Sequence, residues 1–123
     1  MNVFVWIVQG LLAAVYLAGG SMKLAKSYDA LKADPNMAWT GDFPAPVVKG
    51  IGTLEILAAI GLVVPWLTGI APVLTPIAAV GIIVLMIGAS ATHLRRGETK
   101  MVPVTLVLAL LAAFVAWQRF GEL

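Results

Sequence analysis

Apolar residues dominate this chain in four long runs, residues 3–22, 47–67, 72–94 and 101–120. Each run is close to the roughly 20 residues that an α-helix needs to cross a bilayer core. Alanine, leucine and glycine fill them with no sustained two-residue alternation, a pattern that predicts helices and argues against barrel strands. The punctuation agrees. Pro65 with Thr68-Gly69 is expected to close the second run, and Pro72 and Pro76 to open the third. Arg95-Arg96-Gly97 should end the third, and Pro103 should start the fourth. The expectation is one all-α membrane domain over 1–123, a four-transmembrane-helix bundle with one long connection, 23–46.

That connection has a pattern of its own. Leu24, Tyr28 and Leu31 recur at helical spacing, with Lys26, Asp29 and Lys32 on other faces. This predicts an amphipathic continuation of the first helix along the membrane interface, stopped by Asp34-Pro35. Trp39 and Phe43 read as headgroup-level anchors. The segment is either a surface elbow or a lid and docking surface. Internal repeats and a second domain are not evident.

Composition sets the solvent. Of 123 residues, 61% are hydrophobic and 11% charged, and the mean hydropathy is +0.99. Soluble domains carry about a quarter charged residues, so this chain has too little polar surface to cover itself in water. With no cysteine, thiol chemistry and disulfides are excluded. One histidine and six acids make a dedicated metal cage improbable. A net charge of +2 spread over connections reads as an orientation signal and not as a nucleic-acid patch.

Lys23, Lys26, Lys32 and Lys49 lie in or beside the first connection, and Arg95, Arg96 and Lys100 in the third. The second connection has no basic residue, and the termini share only Arg119. Positive-inside then places both basic connections in the cytoplasm and both termini outside. Lysines follow the first run and none precedes it, so that run reads as a span and not a cleaved signal.

Glu55 interrupts the second run about eight residues from its cytoplasmic start, roughly 12 Å deep at 1.5 Å per residue. A charge there costs at least about 2.5–3.5 kcal/mol, so Glu55 should face the bundle and be paired or neutral. The first helix offers a stripe of polar and small residues, Gln9, Ala13, Tyr16, Gly20 and Lys23, at alternating four- and three-residue steps. Gly52, Ala58 and Ala59 flank Glu55 and allow close approach. Tyr16 and Glu55 are therefore expected to face each other, with Gln9 continuing the line outward and Lys23 inward. Two readings stand: a structural hydrogen bond that fixes helix register, or an intramembrane ligand or proton-relay site. His93, at the cytoplasmic end of the third helix, is either an idle interfacial residue or a proton acceptor. Arg95 and Arg96 read as anchors that can also contact headgroups, a partner or Glu98. Gly81, Gly88 and Thr92 read as a packing seam, and Trp6, Trp66 and Trp117 as aromatic-belt residues. A weaker option sets Trp117 and Arg119 at an outer mouth.

Taken in order, GGSMKL, GTLEILAAIGLVVP, LTPIAAVGIIVLMIGASATHLRRGE and AFVAWQRF resemble the DoxX-like family of small four-helix bacterial membrane proteins. The resemblance implies a left-handed bundle and a link to redox chemistry, since the family takes its name from subunits of a thiosulfate:quinone oxidoreductase. It also implies partnership with sulfur-transfer or oxidative-stress proteins, and it highlights Lys23, Glu55, His93 and Arg95. With no intrinsic cofactor in the chain, electrons would come from a bound quinone or a partner protein. The leading expectation is an accessory membrane subunit that binds a quinone-like or lipidic molecule through Glu55, Tyr16, Lys23, His93 and Gln9. A small proton-coupled transporter and a purely structural anchor are the alternatives, and a homo-oligomer is compatible with each. No catalytic residue is assigned.

Overall fold

The computed structural model describes residues 2–123. Four long helices, α1 (Asn2–Ala25), α3 (Ala45–Thr68), α4 (Leu74–Arg95) and α5 (Val102–Gly121), form the bundle. A short helix, α2 (Tyr28–Ala33), and a 3-10 turn (Ala38–Asp42) occupy the long connection. All four long helices are apolar and long enough to cross a membrane. They direct large side chains such as Leu57, Val84 and Leu110 outward, where only lipid makes their exposure favourable. This is a multi-pass membrane protein.

The helices associate as two pairs, α1 along α3 and α4 along α5, and the pairs meet through α3–α4 and a narrower α1–α5 contact. Glycine sets the first pairing. A Cβ added to Gly20 would lie 2.6 Å from the Gly52 carbonyl oxygen and 2.8 Å from Ile56 Cγ1. A Cβ on Gly52 would lie 2.9 Å from Lys23 Cβ. The two backbones touch there, as small residues permit in membranes. The second pair is joined by a buried contact of 2.7 Å between Ser90 Oγ and Thr105 Oγ1. Thr105 already donates to the Val102 carbonyl, so Ser90 is the donor of that bond.

One end of the bundle is closed. Arg119 is fully buried, donating to Gln9 Oε1 at 2.7 Å, Asn2 Oδ1 at 2.9 Å and Glu122 Oε2 at 2.8 Å. Its guanidinium also lies 4.6 Å from the Trp66 ring centre and 5.4 Å from that of Trp6, within cation–π range. Gln9 Nε2 donates onward to the Leu62 carbonyl, so α1, α3 and α5 share one network. The apolar core, including Leu12, Leu62, Ile82 and Val115, is a single cluster that also takes in Tyr16.

The second span ends at the expected Thr68-Gly69 stop, with Gly69 in the left-handed conformation and Pro65 inside the last turn. Proline lacks the N–H that would bond the Gly61 carbonyl, and the Thr75 hydroxyl supplies that bond from α4 at 2.8 Å. Several expected details are corrected. Helix α4 begins at Leu74 and not at Pro72. The first helix does not continue through Tyr28. Ser27 breaks it and caps α2, its hydroxyl accepting from the Ala30 N–H. Gly81 and Gly88 form no packing seam, since a Cβ on either meets nothing within 4 Å. The α3–α4 contact uses Gly61 against Ala78 instead. Arg119, wholly buried, lines no mouth with Trp117, which is 74% exposed.

Gly20→Ala should cost about 1–3 kcal/mol by overpacking the α1–α3 contact, read as a lower thermal midpoint in detergent. Gly10→Ala, in open space on the same helix, should be neutral or gain up to about 1 kcal/mol from helix propensity. Equal behaviour of the two variants would refute the close-contact account.

Candidate functional site

At the end opposite Arg119 the helix pairs diverge and leave a cavity of about 610 Å³ between them. Its size falls within the usual few-hundred to 1,000 Å³ of small-molecule sites. Tyr16, Gly19 and Lys23 of α1 and Ile51 and Glu55 of α3 line one wall. Met86, Gly88, Thr92 and His93 of α4 line the other, with Met101, Thr105 and Leu108 towards α5. Apart from a few polar groups, the lining is apolar.

The long connection is the roof. Met37, Trp39 and Phe43 lie over the cavity, and Trp39 and Phe43 pack edge to face with ring centres 6.0 Å apart. The roof is tied down from several sides. Leu31 of α2 is fully buried, and the Tyr28 hydroxyl donates to the Phe43 carbonyl. Arg96 Nη1 donates to Asp42 Oδ1 at 2.9 Å, which links the turn to the end of α4. Lys49 of α3 donates to the Lys23 and Lys26 carbonyls, satisfying C-terminal groups of α1 that have no partner within the helix. The amphipathic pattern of 24–32 therefore belongs to a folded cover.

The stripe on α1 does face α3. Lys23 Nζ approaches Glu55 Oε1 to 2.6 Å, and both side chains are more than nine-tenths buried. Lys23 also lies 5.6 Å from the Trp39 ring centre. The carboxylate thus has a cation as its partner. Tyr16 and Glu55 do reach the same cavity, but the Tyr16 hydroxyl, on a residue only 2% exposed, has no hydrogen-bond partner among the described residues. A buried hydroxyl without a partner costs about 1–3 kcal/mol, and this one belongs to a residue lining an open volume.

The remaining candidates separate. His93 is buried on the cavity wall, and its Nδ1 lies 3.2 Å from Glu98 Oε1. Glu98 also accepts from Arg96 Nε at 3.0 Å, so His93, Glu98, Arg96 and Asp42 form a line from the cavity to the roof. Arg95 lines the cavity and is exposed. Gln9 lies apart, in the Arg119 network of the closed end. Sequence reasoning missed Asp42 and took Trp39 as a headgroup-level anchor, because their contacts with Arg96 and Lys23 span long separations. It also counted Arg119 as a terminal charge beside Trp117, and not as the centre of a buried network. Among the described residues no three His, Asp or Glu side chains converge as a metal site.

These features define a small four-helix membrane protein with a covered internal cavity and a buried ion pair at its wall. The chain belongs to the DoxX-like family, whose family model matches residues 7–115. Comparisons with curated proteins and with solved structures give no match.

Lys23→Met should destabilise the fold by about 3–5 kcal/mol, because it strands a buried carboxylate. Adding Glu55→Leu should restore most of that loss. Chemical denaturation in mixed micelles measures both, and a double variant no more stable than the single one would contradict a coupled pair.

Proposed function

We propose that this protein is an accessory membrane subunit that holds a quinone-like or lipidic amphiphile in the cavity and supports a redox or stress-response partner. The observation that carries this reading is the unpartnered Tyr16 hydroxyl beside the Lys23–Glu55 pair in a mainly apolar chamber. A carbonyl or ether oxygen entering the cavity would accept from Tyr16, and Lys23 would add a second donor. The apolar lining suits a ring or an alkyl group, and Trp39 supplies an aromatic surface above it. His93, with Glu98 behind it, would carry protons between the chamber and the basic face. That face would dock the partner, with Arg95 and Arg96 as its contacts.

Native mass spectrometry of protein extracted in mild detergent tests the reading. A small molecule retained by the wild type and lost from Tyr16→Phe and Glu55→Gln supports it. Three equally folded proteins with no retained molecule would favour a structural anchor instead.

The same reading orients the roof to the cytoplasm, on the strength of seven lysines and arginines at that end against one at the other. The chain lacks cysteine, so a lone Lys100→Cys gives an unambiguous reporter. In intact spheroplasts it should resist a membrane-impermeant maleimide, and react only once the membrane is broken. Labelling before lysis would reverse the orientation.

A further inference from the structure

A second apolar hollow, about 540 Å³, runs along the lipid-facing side between α3 and α4. Leu54 and Leu57 of α3 and Ile77 and Gly81 of α4 line it, and it shares Val84 and Leu85 with the roofed cavity. Its shape follows from the packing. The two helices touch where Gly61 meets Ala78 and then part towards the roof, so that Gly81 and Gly88 both face open space. Val84 and Leu85 border both volumes, so the groove adjoins the cavity along α4.

We infer that this groove holds the apolar tail of the molecule whose polar head occupies the cavity. The ligand is then a long-chain amphiphile, and it reaches its site sideways from the bilayer, between α3 and α4. The inference rests on the head-binding reading above. The groove lining offers no polar side chain, which excludes a polar substituent there, whereas the cavity offers Tyr16, Lys23 and Glu55. One molecule with a polar head and an apolar tail fits that division. From Val84 back to Ile77 the groove runs about 10 Å at 1.5 Å per helical residue, the reach of a decyl chain.

The test uses the full-length protein in lipid nanodiscs with two benzoquinone probes. One is tail-less; the other carries a decyl tail ending in a photoreactive diazirine. Quenching of tryptophan fluorescence by the tail-less quinone reports the head site, with Trp39→Phe identifying the responsible residue. Mass mapping of the photoadducts reports the tail. Adducts concentrated on Leu54, Leu57, Ile77 and Gly81 are expected. Gly81→Leu introduces a side chain into space that is open and removes a helix-disfavouring glycine. It should reduce those adducts about ten-fold, in line with overpacking penalties, and leave quenching by the tail-less probe unchanged. Gly10→Leu, on open surface of α1, should change neither. Adducts spread evenly over all lipid-facing helices, or insensitive to Gly81→Leu, would overturn the groove while leaving the head site standing. Absence of tryptophan quenching by the tail-less quinone would instead overturn the quinone-type head and the tail inference with it.

Discussion

The architecture depends on the Arg119 guanidinium, a charge buried completely inside the end of the bundle. Removing such a charge from solvent is costly, and it is tolerated only where partners are already arranged around it. Gln9, Asn2, Glu122 and the faces of Trp6 and Trp66 provide that arrangement, and together they bind α5 to α1 and α3. With the bundle held at this end, the two helix pairs are free to diverge at the other. The cavity is a consequence of where the bundle is fastened.

The opposite end holds a charge of a different kind. Lys23 and Glu55 lie side by side because the backbones of α1 and α3 touch at Gly20 and Gly52, a turn or less away along each helix. That contact leaves the pair little room to separate. The cover then draws on the same elements: Lys49 holds the end of α1, Trp39 lies against Lys23, and Arg96 holds Asp42. Polar groups that are scarce in the sequence are thus concentrated at two levels of the bundle, with an aliphatic core between them.

Much of this was legible in the residues. Four apolar runs define four spans, and the stripe from Gln9 to Lys23 points to the face that meets α3. Pro65 is tolerated in the last turn of α3 because another group takes the carbonyl it frees, and that group, Thr75, is ten residues further on. The errors have local causes. Ser27 is an ordinary capping residue, but it sits inside a periodic pattern that runs straight through it. Gly81 and Gly88 resemble a packing motif because spacing cannot distinguish a glycine that meets a neighbour from one that faces a gap. A lid was one of two readings of the long connection, but the contacts that tie it down and the Arg119 network were beyond reach. Their key contacts join residues as far apart as Gln9 and Arg119, and no local pattern encodes such a pairing.

The distribution of these fastenings along the chain also orders its assembly in the membrane. Lys49 satisfies the end of α1 as soon as α3 follows it, so the first two spans can settle as a hairpin while the remainder is still being made. The clasp on Gln9 and Leu62 waits for Arg119, near the end of the last span. Until that residue is synthesised, Gln9 lacks the guanidinium that its side-chain oxygen accepts from in the finished bundle. The fastening of the first two spans thus lies wholly within the first half of the chain, whereas the far end is closed by a residue from the last span.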